Sequence, residues 1–520
     1  MKKLLIIHPF LFAIHPILFL FSHNIGAITF YETLAPMTII LGCTLLMLGL
    51  LRLILGNNYK KAGIVLSIFL LLFFSYGRIF VILDKYVSSY IIGSHQALFL
   101  LWGLFLVVSF YLIKKTSRKL DNLTNSLNII ALSLVLLSFI NLVIYQFKVI
   151  SAEKTNPNKK TANIEMHTAK SKNSAVSRDI YFIVLDGYAN PTTLKEIYGY
   201  DNHQFTDYLT EKGFKVIHES RSNYALSWLS LASSLNMKYL DDLYDPVKNG
   251  SKEQQKTLKQ MIHNSAVSSF LKPRGYKIIH FSSGVGITDY NDSADLNLSN
   301  TWGNELLYIL VQSTMLRPFE KHIIVEDART RILKTFSELA KIPELEGKKF
   351  IFAHITSPHP PFLFDAQGEP VNDTKFELAG PVWGEKNYYL NQLIFVNKKV
   401  EELVDQILQN SRIAPIIILQ SDHGSYGTFY SDDFLVGDQV TDEMLKERMR
   451  NFSAYYLPSD SEDDLVYDSI TNVNTFRLIF NMYFDTKYEF LDDQIYFSSW
   501  DYPYKFINVT DKVKFSEEYK

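Results

Sequence analysis

A short apolar run, residues 179–188, constrains the fold of this chain more than any other stretch. It has the sequence Asp-Ile-Tyr-Phe-Ile-Val-Leu-Asp-Gly-Tyr. A continuous apolar run of this length, ended by Asp-Gly, is typical of a parallel strand that is buried on both faces. Open α/β sheets place their ligand sites at the carboxyl ends of such strands. We therefore expect Asp186 and Gly187 to lie at the ligand-binding site of an α/β domain.

The chain before this strand is predicted to be a membrane anchor. Five segments have the length and apolarity of membrane-spanning helices, at residues 4–21, 34–55, 62–83, 96–113 and 127–147. The first has no obvious small-residue cleavage site and four more spans follow it, so we interpret it as a retained helix rather than a signal peptide. The sequence thus predicts a transmembrane domain of five helices over residues 1–150.

The basic residues of the connecting loops indicate the orientation of these helices. Lys85 is the one basic residue in the loops on one side, and nine lie on the other side, namely Lys2, Lys3, Arg52, Lys60, Lys61, Lys114, Lys115, Arg118 and Lys119. Short loops rich in Lys and Arg are normally cytoplasmic. We therefore expect a protein of the cytoplasmic (inner) membrane with a cytoplasmic amino terminus. An odd number of spans then places the rest of the chain in the periplasm or another extracytoplasmic space.

Residues 151–177 are predicted to be a linker, and residues 178–520 a single extracytoplasmic domain. The linker is rich in Lys, Asn, Ser and Ala and has almost no large apolar side chains. The net charge of the chain is −2 and its basic residues are dispersed, which disfavours a nucleic-acid partner. Cys43 is the only cysteine, so neither a disulfide framework within one chain nor a cysteine-based metal site is possible.

Apolar strands alternate with amphipathic helices after residue 179, which predicts a mostly parallel central sheet with helices on both faces. Later strands are expected at residues 214–218, 275–282, 349–354 and 415–420, and helices at 202–211, 254–271 and 387–408. The aromatic tail, residues 488–509, is a candidate for additional edge strands.

Three of these strands end in residues that can bind a metal ion. Asp186 follows the first strand, His354 and His359 lie at the end of a later one, and Asp422-His423 follow the last. Carboxylate and imidazole ligands suit Zn²⁺ or Mn²⁺. Asp-Gly at a strand end is also a common turn, and a lone Asp-His-Gly does not establish a metal site, so each motif by itself is more often structural.

A serine-rich segment is the fourth motif with potential chemistry, after the three strand ends. Residues 223–237 begin as a loop and continue as an apolar helix, with Ser227 in its first turn. The Ser227 oxygen would face an anion gathered at the helix amino terminus, and a nearby metal would help to convert the hydroxyl into a nucleophile. A plain N-cap is the alternative interpretation.

The four motifs, in this order along the chain, resemble those of the alkaline phosphatase superfamily. The most similar branch is that of the membrane-anchored sulfatase-like enzymes, which include lipoteichoic acid synthases and phosphoethanolamine transferases. The resemblance extends over essentially the whole chain in architecture, but its motifs are specific at only a few short stretches. It implies an alkaline phosphatase-like α/β domain that follows a multi-span helical anchor and binds one divalent metal ion, Zn²⁺ or Mn²⁺.

The resemblance also implies roles for particular residues. The implied metal ligands are Asp186, Ser227, Asp422 and His423, with Ser227 also the nucleophile. The implied substrate-binding residues are His359, Asn223, His280 and His354, where His280 would replace a family histidine expected near Ser282.

Several departures from the family patterns bear on the substrate. Ser227 is followed by Trp-Leu-Ser-Leu and not by the x-Pro-x-Arg of formylglycine sulfatases, which disfavours sulfate ester hydrolysis by that route. No convincing motif for a second metal ion is present. The downstream histidine and the disulfides of phosphoethanolamine transferases are also missing, so the substrate need not be theirs.

The sequence therefore predicts a membrane-embedded, metal-dependent phosphotransferase. It would move a phospho-alcohol headgroup, such as phosphoethanolamine or glycerol phosphate, from a phospholipid donor to an envelope glycan or lipid acceptor through a phospho-Ser intermediate. A phosphodiesterase or phosphatase at the same site, with water as the acceptor, is the first alternative. The second is an inactive relative that acts as an envelope binding module.

Overall fold

The computed structural model describes all of the 520 residues except 1–4, 25–29, 87–94, 156–177, 244–251, 300, 302, 372–385, 427–439, 459–464, 500–501 and 516–520. The chain divides into two compact units. The first comprises Met1–Lys160 and Gly303–Ile324, and the second comprises Thr161–Trp302 and Val325–Lys520. Most of the predicted linker lies outside the described residues, and the predicted domain boundaries stay a prediction.

The first unit is built mainly from apolar helices: α1 (His8–His23), α2 (Phe30–Ile54), α3 (Tyr59–Tyr86), α4 (His95–Lys115) and α5 (Asp121–Thr155). Within the described parts of the chain, four helices, α2 to α5, are long and apolar enough to cross a membrane. Helix α1 has 16 residues and is therefore about 24 Å long, shorter than the roughly 30 Å of a typical hydrocarbon core.

Basic residues of two connections meet at one end of this helical unit. Lys61 Nζ donates to the carbonyl oxygens of Lys114 and Thr116, at 2.9 Å each. Lys60 forms an ion pair of 2.6 Å with Asp121. These contacts join the start of α3 to the end of α4 and the start of α5. We refer to this end of the unit as the basic end.

The second unit is an α/β domain with a seven-stranded mixed sheet. Its strands are β1 (Ile180–Leu185), β2 (Phe214–Val216), β3 (Lys277–Phe281), β4 (Leu296–Leu298), β5 (Lys349–Ile355), β6 (Ile416–Gln420) and β7 (Ser453–Tyr456). The order across the sheet is β2-β7-β6-β1-β5-β3-β4. The five strands from β6 to β4 are parallel, whereas β7 is antiparallel to both of its neighbours.

Helices cover both faces of the sheet. They are α6 (Pro191–Tyr198), α7 (His203–Glu211), α8 (Ser227–Asn236), α9 (Lys252–His263), α10 (Ala266–Leu271), α12 (Glu326–Leu339), α13 (Lys386–Asn410), α14 (Asp442–Met449) and α15 (Thr475–Tyr483). The remaining helix, α11 (Glu305–Ser313), belongs to the first unit. Strand β1 is buried throughout and contributes alternate side chains to two apolar cores, one on each face of the sheet. The predicted fold class, a helical membrane anchor followed by an α/β domain with a mostly parallel sheet, is confirmed.

Some elements differ from the sequence prediction. The predicted helix 254–271 is two helices, α9 and α10, because Ser265 caps a new helix through its bond to Ser268 N. In the described part of the aromatic tail, β8 (Tyr496–Phe497) and β9 (Ile507–Asn508) pair with each other and do not extend the main sheet. The edge strand β4 and the antiparallel strand β7 were not predicted.

Candidate metal and nucleophile site

The candidate site lies at the carboxyl ends of three adjacent central strands. Strand β1 lies between β5 and β6, so the residues that follow these strands meet at one edge of the sheet. The loop after β5 is bonded to the end of β1, because His359 N donates to the Asp186 carbonyl oxygen at 2.9 Å. Gly187 N donates to Asp422 Oδ1 at 3.3 Å and joins the loop after β6 to the same point.

Five side chains at this edge form two overlapping groups that could hold a metal ion. Asp186, His359 and His423 form one group, and Asp186, His354 and Asp422 form the other. The ligand atoms within each group lie within 4.8 Å of one another. His423 Nε2 is 3.4 Å from both Asp186 Oδ1 and Asp422 Oδ2, and His354 Nε2 is 3.3 Å from Asp186 Oδ2.

Two carboxylate oxygens of these groups are buried without a hydrogen-bond partner among the described residues. They are Asp186 Oδ1 and Asp422 Oδ2. A buried carboxylate oxygen without a partner is costly, and two carboxylates at one site would repel each other without a cation. The residues therefore fit a divalent cation, which is the ion that carboxylates and imidazoles of this kind hold.

Ser227 is the first residue of α8, and its hydroxyl faces the same group of side chains. Its Oγ lies 3.1 Å from His423 Nε2. The N-cap residue of α8 is Leu226, which makes no side-chain cap hydrogen bond. The Ser227 hydroxyl is therefore not used as the N-cap that the alternative interpretation required. The oxygen instead lies at a helix amino terminus beside a candidate metal ligand.

Backbone carbonyls determine which ring nitrogens of two histidines carry hydrogen. His423 Nδ1 is 2.8 Å from the Gly424 carbonyl oxygen, and His359 Nδ1 is 2.7 Å from the Pro360 carbonyl oxygen. A carbonyl oxygen only accepts, so each Nδ1 is the donor. The neutral imidazole of His423 then presents its Nε2 lone pair, as a metal ligand requires.

The electrostatics of the site favour ionised carboxylate and neutral His423. Burial raises the pKa of Asp186, but the neighbouring imidazoles of His359, His354 and His423 and a hydrogen bond from His354 outweigh the effect of burial and bring that pKa below its ordinary value. Burial lowers the pKa of His423 to about 4. Burial also lowers the pKa of His354, but hydrogen bonding and charge from Asp186 raise it above the ordinary value overall.

Three residues that were not predicted support this arrangement. Thr288 Oγ1 lies 2.9 Å from His354 Nδ1 and orients that ring. Gln392 Nε2 donates to the carbonyl oxygens of Pro358 and His359 at 3.2 and 3.0 Å. Arg448 Nε donates to the Ala225 carbonyl oxygen, two residues before Ser227, at 2.8 Å. None of the three stands in a recognisable motif, and only the tertiary structure brings them to the site.

Two of the predicted substrate-binding residues make other contacts. The Asn223 amide donates to Thr471 Oγ1 and the Gln494 carbonyl oxygen and accepts from Val473 N. These bonds hold the loop before α8 against the carboxyl-terminal segment, and they do not support a role in substrate binding.

His280 is fully buried on β3, and its Nε2 donates to the Thr288 carbonyl oxygen at 2.8 Å. It is connected to the site through Thr288, which in turn contacts His354. This path supports a role in positioning Thr288 rather than direct contact with a substrate.

Several solved structures are similar to this chain at low sequence identity. No protein-family model matches the sequence, and no curated protein is significantly similar. A zinc complex of the periplasmic domain of EptC from Escherichia coli is 14% identical, with a TM-score of 0.44, and covers 65% of this chain and 94% of its own. The integral membrane lipooligosaccharide phosphoethanolamine transferase A from Neisseria meningitidis is 12% identical, with a TM-score of 0.38, and covers 89% and 86%. A putative sulfatase from Bacteroides thetaiotaomicron is 12% identical, with a TM-score of 0.37, and covers 62% and 77%. These are structures of phosphoethanolamine transferases and of a putative sulfatase.

Proposed function

We propose that this protein is a membrane-anchored, metal-dependent transferase that moves a phospho-alcohol headgroup from a phospholipid to an envelope glycan or lipid. The observation that carries the proposal is the Ser227 hydroxyl, 3.1 Å from His423 Nε2, beside buried carboxylates that have unpartnered oxygens. A nucleophile at a helix amino terminus and next to a cation site suits attack on a phosphodiester.

The ligands of the cation would be Asp186, Asp422, His423 and the Ser227 oxygen. His354, which forms a group with Asp186 and Asp422, would be a further donor. A bound divalent ion, Zn²⁺ or Mn²⁺, lowers the pKa of a coordinated hydroxyl and offsets negative charge on a phosphoryl group. Thr288 keeps the His354 ring in place, and Gln392 keeps the His359 loop in place.

The proposed reaction has two displacements at phosphorus. In the first displacement the Ser227 oxygen forms a bond to the phosphorus of the donor lipid, and the bond from phosphorus to the diacylglycerol oxygen breaks. The proton of the Ser227 hydroxyl passes to Nε2 of the half-buried His359 and from there to that leaving oxygen. Ser227 then carries the phospho-alcohol as an ester. In the second displacement an acceptor hydroxyl attacks phosphorus, its proton passes through the same nitrogen to the Ser227 oxygen, and Ser227 is released.

We test this with the full chain in lipid nanodiscs, because residues 303–324 pack with the membrane helices. The protein is incubated with Mn²⁺ or Zn²⁺ and with phosphatidylethanolamine or phosphatidylglycerol, and its intact mass is measured. We expect an adduct with the mass of the headgroup phosphate, together with released diacylglycerol. Ser227→Ala should abolish the adduct, and Ser234→Ala on the same helix should retain it.

Other outcomes would assign the site differently. Diacylglycerol and free phospho-alcohol without transfer to any envelope acceptor would indicate the phosphodiesterase. No adduct with any donor and no bound metal would refute catalysis and favour the envelope binding module.

We further propose that the basic end of the helical unit is cytoplasmic and that the carboxyl-terminal domain is extracytoplasmic. The nine basic loop residues support this orientation. In a Cys43→Ser background, a membrane-impermeant maleimide applied to intact spheroplasts should label Ser337→Cys on α12 and leave Ser117→Cys, next to Lys114–Lys119 in sequence, unlabelled. The reverse pattern would refute the orientation.

A further inference from the structure

Residues 303–324 come from the middle of the predicted extracytoplasmic domain, yet they pack in the helical unit. Leu306 and Leu310 of α11 form an apolar cluster with Ile17 of α1. Met315, which follows α11, packs with Trp102 of α4 in another cluster. These clusters include the last part of α1 and the first part of α4, which lie away from the basic end. The segment therefore contacts the end of the helical unit opposite the basic end.

A close backbone contact fixes the depth of the segment along α3. Met315 N donates to the Phe73 carbonyl oxygen at 3.0 Å. Phe73 precedes Leu83, the last residue of the apolar span, by ten residues, or about 15 Å of helix. A Cβ on Gly77 would lie 1.9 Å from the Gln312 carbonyl oxygen, so the segment approaches α3 where glycine permits it. The turn after α11 thus lies well within the length of a membrane-spanning helix.

The backbone of this turn meets the requirement for a chain at membrane depth, where each polar group needs a partner within the protein. Thr314 N donates to Val311 O, Met315 N to Phe73 O, Arg317 N to Thr314 O and Phe319 N to Leu316 O. Leu316 N donates to Thr314 Oγ1 at 3.3 Å, and Pro318 has no backbone N–H. Every backbone donor from residue 314 to 319 is therefore satisfied without water.

Two large apolar side chains of the same turn point away from the protein. Leu316 is 40% exposed and Phe319 is 52% exposed. Arg317 lies between these two residues in the sequence, and its guanidinium is 5.2 Å from the Phe80 ring centroid. Phe80 is three residues before Leu83, the end of the α3 span. An apolar pair next to a cation near a helix end is typical of a segment at the boundary of acyl chains and headgroups.

We propose that residues 305–319 form a re-entrant membrane element whose Leu316 and Phe319 side chains contact phospholipid acyl chains of the extracytoplasmic leaflet. The occupant of this surface is lipid, because the surface is continuous with the membrane-spanning helices and is bounded by Arg317. The element gives the protein a membrane contact within a stretch of sequence that is flanked on both sides by residues of the α/β domain.

Site-directed spin labelling of the full chain in phosphatidylethanolamine and phosphatidylglycerol vesicles tests the proposal. In the Cys43→Ser background, a nitroxide is attached to Phe319→Cys or, separately, to Leu316→Cys, and its collisions with oxygen and with a nickel chelate are measured. The controls are Leu101→Cys on the lipid-facing side of α4 and Ser337→Cys on the exposed side of α12. We expect both test labels to meet the chelate at least threefold less often than the Ser337 label and to resemble the Leu101 label in oxygen collisions. Chelate accessibility equal to that of the Ser337 label would overturn the proposal.

A second variant tests the docking on α3. Gly77→Leu places a side chain against Gln312 O and Ser313 Cα and should shift the Phe319 label towards the chelate. Gly103→Leu is the matched control, because a Cβ there has no neighbour within 4 Å. If Gly77→Leu leaves the label unchanged, the docking is refuted. If that variant does not fold, the comparison of the two test labels with the Ser337 label still decides the proposal.

Discussion

His280 shows what complete burial does to one ionisable side chain. Burial lowers its pKa to about 3, against 6.5 for the unperturbed group. The unfolded chain therefore binds a proton near pH 6 that the folded chain does not bind. Stability from this residue is complete above the unfolded pKa and declines as pH falls from about 6.5 towards 3.

We expect this decline to amount to about 2 kcal/mol between pH 6.5 and pH 5. His280→Gln can keep the bond to Thr288 O but cannot titrate, so its thermal midpoint should fall less on acidification than that of the wild type. The exposed His203→Gln is the control and should behave like the wild type. An acid sensitivity of His280→Gln equal to that of the wild type would contradict the prediction.

Gly424 illustrates a constraint on a single residue next to the candidate metal ligands. A Cβ there would lie 2.2 Å from the Glu447 carbonyl oxygen and 2.7 Å from that of Arg450. Because both neighbours are backbone atoms, they cannot simply rotate away. The glycine of Asp-His-Gly is thus needed for the close approach of the segment that carries Arg448.

At the scale of elements, the loop after β5 depends on one side chain of α13. The buried Gln392 accepts from Leu363 N and Phe364 N at 2.6 and 3.2 Å and donates to the carbonyl oxygens of Pro358 and His359. The Gln392 side chain therefore supplies the backbone of this loop with hydrogen bonds that a strand would receive from its neighbours in the sheet.

Gln392→Leu should leave two buried N–H groups without partners and destabilise the loop by about 2 to 5 kcal/mol. We expect faster chymotrypsin cleavage after Phe362 and Phe364, measured by mass spectrometry, and a loss of transferase activity. Gln406→Leu on the exposed side of the same helix should change neither quantity. Equal cleavage rates in the two variants would show that Gln392 does not hold the loop.

The elements that the sequence predicted best are those with a strong local pattern. Strands β1, β5 and β6 are mainly apolar, and polar motifs lie at their carboxyl ends. Their burial and the convergence of Asp186, His354 and Asp422 therefore followed from sheet topology. Strand β4 has three residues and takes its place only by pairing with β3. The role of α11 could not be predicted, because its apolar run is too short to span a membrane and resembles a core helix of the domain.

At the scale of the whole molecule, stability should depend on the cation. Two buried carboxylates with unpartnered oxygens destabilise the metal-free protein, and binding of an ion only to the folded chain stabilises it by about 2.7 kcal/mol at 100 times Kd. We expect the unfolding temperature of the α/β domain to rise with Zn²⁺ or Mn²⁺ concentration and to fall with a chelator. Asp422→Asn should weaken this dependence, and Asp295→Asn, a surface substitution, should not. No dependence in the wild type would refute the metal site.

The chain path through the two compact units bears on what a protease can release. Ectodomains held by one stalk are shed into the medium when that stalk is cut. Here the chain returns to the helical unit at residue 303 and leaves it again after residue 324. A nick between residues 156 and 177 would therefore leave the α/β domain attached to the envelope, and soluble shed enzyme would require further cuts.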